Sequence, residues 1–443
     1  MNTIIAATTP FGYSAVAMLR ISGEDSFTIA SRLAPKVASL EHGKVRVTNI
    51  RDTTNNIVDQ VTMVAFHAPK SFTGEHVVEI SCHGNPIIVD QIINLSIQYG
   101  ARLARPGEFT RQAVENAKMS MLQAEALHEV IHAASTEGIF LAQAGLQGQV
   151  DTQELQLRED LLDICAELEA KMDYPQEDLS FDTDEELADK LEELATLAKE
   201  SADSYIVNKV KIHGAKVALL GPVNAGKSSL FNHLVGTKRS IVSNVPGTTR
   251  DIVERTVIVD GLDIQFFDTA GTRFDTEDPI EAEGIQMGLD LVQDMDICLV
   301  VVSCTHTDTM LLDSLIASIY PNPYLVIATH SDLGIKPIFE YDYIVSNLDG
   351  NGIIDIKEKI RTVLGFNTSK SSKHVAMNQR QQELFYRIAE HVQMAKESLL
   401  GILGPVVAAE EITQALECTA MLRGESAREM ILDKIFEKFC IGK

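Results

Sequence analysis

At about 100 to 200 residues per domain, the 443-residue chain has room for two to four domains, and its 45% hydrophobic content is that of a globular protein rather than a disordered or fibrous one. No run of 18 apolar residues occurs, and the start "MNTIIAATTPFGYSAVAMLRISG" has no basic stretch ahead of a continuous apolar core, so a cytoplasmic protein with no membrane span is expected. The net charge of −25 is concentrated in residues 119–210, which hold 22 Asp and Glu against 5 Lys and Arg, and a local phosphate-binding patch elsewhere is not excluded.

Residues 1–118 carry short alternating runs such as "TMVAFHA" (62–68) and "HVVEISCHG" (76–84), broken by Gly and Pro, which predicts an α+β domain. From "MLQAEALHEVIHAAS" (121–135) to "ELATLAKESADSYIV" (193–207), apolar residues recur at helical spacing, so 119–210 is expected to form long helices. The acidic run "DTDEELADKLEEL" (182–194) reads as the solvated face of one of them. Residues 211–370 alternate strand-length apolar runs, at 216–220, 262–267, 297–302, 324–328 and 343–345, with helix-length segments. That pattern predicts a mostly parallel sheet with helices on both faces. After the polar "SKSSKH" (369–374), helical periodicity returns through 371–443, so the α/β unit reads as an insertion between two parts of one helical domain. The six cysteines (82, 165, 298, 304, 418 and 440) contain no C-x-x-C pair, which argues against a disulfide framework or structural zinc and leaves most of them as apolar filler.

"GPVNAGKSS" (221–229) matches G-x-x-x-x-G-K-[ST] and lies between an apolar strand and a helix beginning near Lys227. In such a loop the backbone N–H groups around Asn224, Ala225, Gly226 and Ser229 cradle phosphate oxygens. Lys227 neutralises β and γ charge, and Ser228 ligates Mg²⁺. Three further stretches follow at GTPase spacing. "VPGTTRD" (245–251) offers a threonine pair for a switch loop. "FFDTAG" (266–271) ends a strand with Asp268, followed by Thr269, Ala270 and Gly271, whose N–H can meet the γ-phosphate. "IATHSD" (327–332) places Asp332 where it can accept from guanine N1–H and the 2-amino group, a donor pair adenine lacks. Together these describe a Ras-like GTPase domain. Thr272 stands where Ras-type enzymes have a water-orienting glutamine, so another residue, within "TEDPIEAEG" (276–284), must position the water.

With "MLRISG" (18–23), "SFTGEHVVEISCHG" (71–84), "GARLARPGEFTRQAVENAKMSMLQAEAL" (100–127) and the closing "FCIGK" added to these motifs, the chain closely resembles the MnmE (TrmE) family of tRNA modification GTPases over essentially its full length. The resemblance implies a homodimer built through an amino-terminal folate-binding domain (1–118), a helical domain in two parts (119–210 and 371–443), and an inserted G domain (211–370). It also implies K⁺-stimulated GTP hydrolysis, with Asn224, Ser243, the carbonyl of Val245 and Thr248 around K⁺ and Ser228 and Thr249 on Mg²⁺. Asn244, Pro246 and Gly247 complete that nucleotide loop, and Glu281 positions the water, with Glu283 as the fallback. Arg20, Glu79, Lys118 and the tail Lys443 would hold a 5-formyl- or methylene-tetrahydrofolate. The implied partners are tRNA and the flavoprotein MnmG (GidA), with which the dimer forms a heterotetramer. FAD and NADH belong to that partner, since no G-x-G-x-x-G after a strand is visible in this chain.

The chain departs from the family at T-H-S-D, where N-K-x-D is usual: Thr329 and His330 replace asparagine and lysine while Asp332 is kept. "SNL" (346–348) keeps only Ser346 of the S-A-[KR] pattern. Cys440 fits a C-a-a-X lipid signal poorly because lysine occupies X, and its open roles are a nucleophile or acid–base group, or simple packing. The rival reading is an Era-like regulatory or ribosome-assembly GTPase with no covalent RNA chemistry.

Overall fold

In the computed structural model, the described residues are 3–35, 40–173, 181–222, 224–235, 253–259, 262–268, 292, 295–307, 309–346, 348, 350–364, 378–425, 435–436, 439 and 442. The chain divides into two compact units, one of Met1–His128, Leu146–Ala188 and Met394–Lys443, the other of Glu129–Gly145 and Asp189–Gln393.

The first unit opens with a six-stranded sheet of β1 (Ile4–Ala7), β2 (Ser14–Ser22), β3 (Arg46–Arg51), β4 (Ile57–Phe66), β5 (Val77–Gly84) and β6 (Arg102–Leu103), in the order β3-β4-β5-β2-β1-β6. Neighbours are antiparallel except β1 and β6. Two-residue periodicity sorts the faces. Leu19 and Ile21 of β2, Val61 and Met63 of β4, and Val78 and Ile80 of β5 are buried in the core with Ile29 and Leu33 of α1 (Ser26–Leu33) and Ile92 of α2 (Pro86–Gln98). Arg20 and Glu79 alternate with these residues and face each other in register across β2 and β5. Helix α2 begins where the sequence dictates: Asn85 accepts from the Ile87 N–H at 2.9 Å and Pro86 occupies the first turn. The short α3 (Glu108–Glu115) places Phe109 in a second small core with Ile4, Ala6 and Ala104.

Helices α4 (Met121–His132), α5 (Thr136–Leu146), α6 (Gln149–Asp173) and α7 (Asp184–His213) follow. In α7, Leu187, Leu191, Leu194 and Ala198 are buried while Glu185, Glu186, Glu192 and Glu193 are exposed, so the acidic run is a solvated face. Within the second unit, Ala134 ties the end of α7 to the next sheet. Its N–H donates to the Ile212 carbonyl at 2.7 Å, and its own carbonyl accepts from the Asp263 N–H at 3.0 Å.

That second sheet comprises β7 (Ala215–Leu220), β8 (Val253–Val259), β9 (Leu262–Asp268), β10 (Ile297–Ser303), β11 (Tyr324–Thr329) and β12 (Tyr343–Ile344), in the order β12-β11-β10-β7-β9-β8. All are parallel except β8, which runs antiparallel to β9. Helices α8 (Lys227–Val235), α9 (Thr309–Ile319) and α10 (Ile353–Val363) complete the α/β arrangement. Cores lie on both faces: Val217, Leu219, Leu230 and Ile356 belong to one, and Leu220, Val300, Leu312 and Ile319 to the other. Strand β10, "ICLVVVS", is apolar almost throughout because both its faces are covered.

Two further helices, α11 (Gln379–Leu400) and α12 (Gly404–Arg423), return the chain to helical structure, and α12 packs on α6 in the first unit. Between them lies a buried carboxylate that the acidic composition hides. Glu154 is 1% exposed, with one oxygen 3.7 Å from the Arg423 guanidinium and the other without a hydrogen-bond partner. Arg423 and Arg158 both spend hydrogen bonds on Glu425, at 2.8 and 3.0 Å. Burial pushes the Glu154 carboxyl up to about 7 in spite of the two guanidinium groups. Among the described residues no helix is long and apolar enough to cross a membrane. Cys82, Cys165, Cys298, Cys304 and Cys418 are all buried, and burial pushes the Cys298 thiol up to about 12.

A carboxyl that titrates near 4.5 in the unfolded chain and about 7 in the folded one costs nothing below the first value. Stability is then lost progressively as pH rises from 4.5 to about 7. Glu154→Gln should therefore flatten the pH dependence of the melting temperature across that window and raise stability at pH 8, by up to about 3 kcal/mol. Equal pH profiles for wild type and variant in thermal melts would show that the carboxylate is fully compensated by its arginines.

Candidate functional site

The carboxyl ends of β7, β9, β10 and β11 converge on the glycine-rich loop, as expected for an open α/β sheet. Gly221 (φ +142°) is the pivot, because a Cβ there would sit 2.0 Å from the Val301 carbonyl oxygen of β10. Asn224 (φ +61°) and Gly226 (φ +85°) are left-handed, the alternation that curls a loop into an N–H-lined concavity. Lys227 opens α8, and its Nζ donates to the carbonyls of Gly221 and Pro222 at 2.7 and 2.9 Å, so the cation lies folded across the loop. Ser228 and Ser229 are exposed on the first turn of α8, where a hydroxyl can reach a metal held by phosphate. Asp268 is the last residue of β9, in register with Leu219 of β7.

The loop after β11 is joined to this one directly. Thr329 is fully buried and its hydroxyl donates to the Ala225 carbonyl at 2.6 Å. The amide expected of N-K-x-D is absent, yet the tether to the phosphate loop persists. Asp332 sits on the turn Ser331–Leu333 and accepts a long hydrogen bond, 3.4 Å, from Ser346, whose oxygen also accepts from the Leu348 N–H. A cavity of about 400 Å³ opens between these parts, bounded by Pro222, Asn224, Ala225, Ser303, His306, His330 and Leu333. The 303–307 stretch was not singled out from the sequence. Its signal was position, immediately beyond the carboxyl end of an interior strand.

The first unit holds a different cavity, of about 340 Å³, lined by Phe66, Lys70, Ser71, Phe72, Val77, Glu79 and Lys118. Arg20 stands beside it. Its Nε and Nη2 both donate to Oε1 of Glu79, at 3.0 and 2.8 Å, and its guanidinium lies over the rings of Phe72 and Phe109. Aromatic walls, a carboxylate and lysines suit a flat, N–H-bearing heterocycle with an anionic extension. Arg20, Glu79 and Lys118 are thus brought together from strands and a loop far apart in sequence. Lys70 and Phe72 were missed, although Phe72 lies inside the quoted "SFTGEH".

The carboxyl-terminal residues pack within the same unit. Phe436 and Phe439 are buried with Met121 and Ala124, and the Phe439 ring lies 4.8 Å from that of His128. Gly442 (φ +98°) meets β1 so closely that a Cβ would come 2.2 Å from the Ala7 carbonyl oxygen. Ala7 neighbours Ala6, the register partner of Arg20. Ser243, Asn244, Val245, Pro246, Gly247, Thr248, Thr249, Thr269, Ala270, Gly271, Glu281, Glu283, Cys440 and Lys443, and the side chain of Asp268, lie outside the described residues.

Gly442→Ala should therefore displace the tail, at a strain of about 1 to 3 kcal/mol. Amide hydrogen exchange around Phe436 and Phe439 should quicken about tenfold or more, with nucleotide affinity unchanged. Unaltered hydrogen exchange around Phe436 and Phe439 would contradict this docking.

Residues 3–118 match the family model "GTP-binding protein TrmE N-terminus", and residues 121–440 match "MnmE helical domain", a span that encloses the α/β segment. The chain is similar along its whole length to proteins named tRNA modification GTPase MnmE. It is 33% identical to that of Francisella philomiragia over 453 residues, covering 100% of this chain and 99% of the relative. It is 35% identical to that of Akkermansia muciniphila over 454 residues, with coverage of 100% and 99%. To that of Thermotoga maritima it is 32% identical over 463 residues, with 100% of both chains covered.

Proposed function

Because the chain belongs to the MnmE family of tRNA modification GTPases, we propose that its GTP hydrolysis serves the formation of a 5-carboxymethylaminomethyl-type group on tRNA wobble uridine, together with the flavoprotein MnmG. As a member of that family it is a GTP hydrolase. The observation that carries the finer reading is the presence in one chain of two unrelated sites, a phosphate loop and the Arg20–Glu79 cavity. A GTPase that only times assembly has no use for the second.

In this reading the chain divides into residues 1–118, which bind folate and form the homodimer, a helical domain of 119–210 and 371–443, and a G domain of 211–370. The N–H groups of Asn224 to Ser229 and the Lys227 cation carry the β- and γ-phosphate charge. Ser228 and Thr249 hold Mg²⁺. Asn224, Ser243, the Val245 carbonyl and Thr248 hold K⁺, whose charge would stand where other GTPases place an arginine finger. Asn244, Pro246 and Gly247 shape that loop, and Asp268 to Gly271 face the γ-phosphate. Glu281 orients the attacking water. Asp332, steadied by Ser346, selects guanine, while Thr329 keeps the base loop tied to the phosphate loop.

Arg20, Glu79, Lys118 and Lys443 hold a reduced folate, which supplies the one-carbon unit. Glu79 accepts from the N–H edge of the heterocycle, Lys118 and Lys443 neutralise carboxylates, and Cys440 is either a nucleophile or acid–base group or a packing residue. FAD and NADH reside in MnmG, which joins the dimer in a heterotetramer acting on tRNA in the cytoplasm.

Replacing K⁺ by Na⁺ at constant ionic strength should lower the turnover number about tenfold or more; an unchanged phosphate-release rate would remove K⁺ from the mechanism. The Era-like alternative is separated by a second measurement. The full-length protein should bind 5-formyltetrahydrofolate, and tRNA from cells lacking it should lose the wobble modification. Absence of both effects would leave only a regulatory GTPase.

A further inference from the structure

The loop after β11 departs from N-K-x-D at its first two positions, and its hydrogen bonds are redistributed accordingly. The Thr329 hydroxyl spends its only proton on the Ala225 carbonyl. Its oxygen also lies 3.2 Å from Nδ1 of His330, and the same nitrogen lies 3.1 Å from the Ser303 hydroxyl. Toward Thr329, therefore, Nδ1 can only donate. Ser303 is free to accept as well, because its own proton can turn to Thr305 Oγ1, 2.8 Å away. Both oxygens beside Nδ1 thus suit a proton on that nitrogen. Neither of these two contacts uses Nε2, and the ring forms part of the wall of the cavity it shares with Asn224 and Ala225 of the phosphate loop. His330 is held there in a left-handed conformation (φ +61°, ψ +38°), which a non-glycine residue adopts at a cost.

We propose that His330 is a nucleotide-contacting residue and a titratable replacement for the lysine of N-K-x-D: with Nδ1–H held by Ser303 and Thr329, a second proton on Nε2 makes the ring a cation beside the bound nucleotide. The inference rests on reading this cavity as the guanine-nucleotide site. Its sign follows from charge. A protonated imidazole attracts an anionic nucleotide, so binding takes up a proton, and affinity rises as pH falls through the range, about 5 to 8, in which imidazoles titrate. A lysine at this position would hold its charge across that range, and the chain has given up that constancy.

Among the described residues, the other charged or titratable groups on the elements packed around the ring are Lys227 of the phosphate loop, His306 and Cys304 of the loop after β10, and Asp332 of its own turn. Burial pushes the Cys304 thiol up, away from this range. His306 is the other imidazole on the cavity wall and provides the control.

The test is GDP affinity of the full-length protein from pH 5.5 to 8.0, by calorimetry in Mg²⁺ and K⁺ at constant ionic strength, for wild type, His330→Ala, His330→Gln, His330→Lys and His306→Ala. The terminal phosphate titrates in the same interval, so the readout is the ratio of each variant's Kd to that of wild type. For His330→Ala and His330→Gln the ratio should grow about tenfold between pH 8.0 and 5.5. His330→Lys should bind more tightly than His330→Ala by a factor that does not change with pH, and His306→Ala should keep the wild-type slope. A ratio for His330→Gln that stays constant with pH would overturn the inference, and so would transfer of the slope to His306. Failure of the wild-type protein to bind GDP at any pH would overturn the nucleotide-site reading itself.

Discussion

The phosphate loop depends on a backbone contact that has no room for a side chain. Gly221 crosses β10 so closely that any Cβ would collide with the Val301 carbonyl, and this sets the loop's height above the sheet. From there the left-handed residues Asn224 and Gly226 carry the chain into α8, and Lys227 folds back over the loop that precedes it. The Thr329 hydroxyl closes the arrangement from the other side by fastening Ala225 to the end of β11. The glycine-rich loop and the end of β11 are consequently joined directly, above the interior strands β7 and β10.

Much of this was legible in the sequence because the physics is local. Five apolar runs correspond to the five parallel strands, and a glycine-rich loop between strand and helix has few other uses. Strand β8 was not expected. It is the antiparallel edge of the sheet, and "VERTVIV" carries three charged or polar residues in its first half, which blunts the apolar signal used for interior strands. The T-H-S-D stretch was legible only in part. Chemistry alone says that a hydroxyl cannot do all that an amide does, but which half of the work survives depends on where Ala225 lies, and residue 225 is 104 positions away.

The first unit divides the same way. Alternation separates core from open face in β2, β4 and β5, yet nothing local says that Arg20 will meet Glu79. Their pairing is a consequence of strand register, and the resemblance to a family rather than any spacing named both in advance. The acidic run 182–194 was read as a solvated face, correctly for α7, while the charge count over 119–210 concealed Glu154, whose carboxylate faces Arg423 of α12. Composition describes surfaces well because most charges are solvated; it is silent about the single charge that is not.

The packing of α6 against α12 also has a consequence for the order of events during synthesis. Arg158 and Glu425 are partners 267 residues apart, so the apolar stripe of α6 emerges from a ribosome long before the helix that covers it. The α/β sheet, drawn mainly from one continuous stretch, can form in the interval. Until α12 arrives the α6 stripe lies open to solvent and to other chains, at the stage when folding intermediates are most prone to aggregate. Chaperone demand, and the effect of truncating mutations on solubility, should therefore concentrate on this helix pair rather than on the nucleotide site.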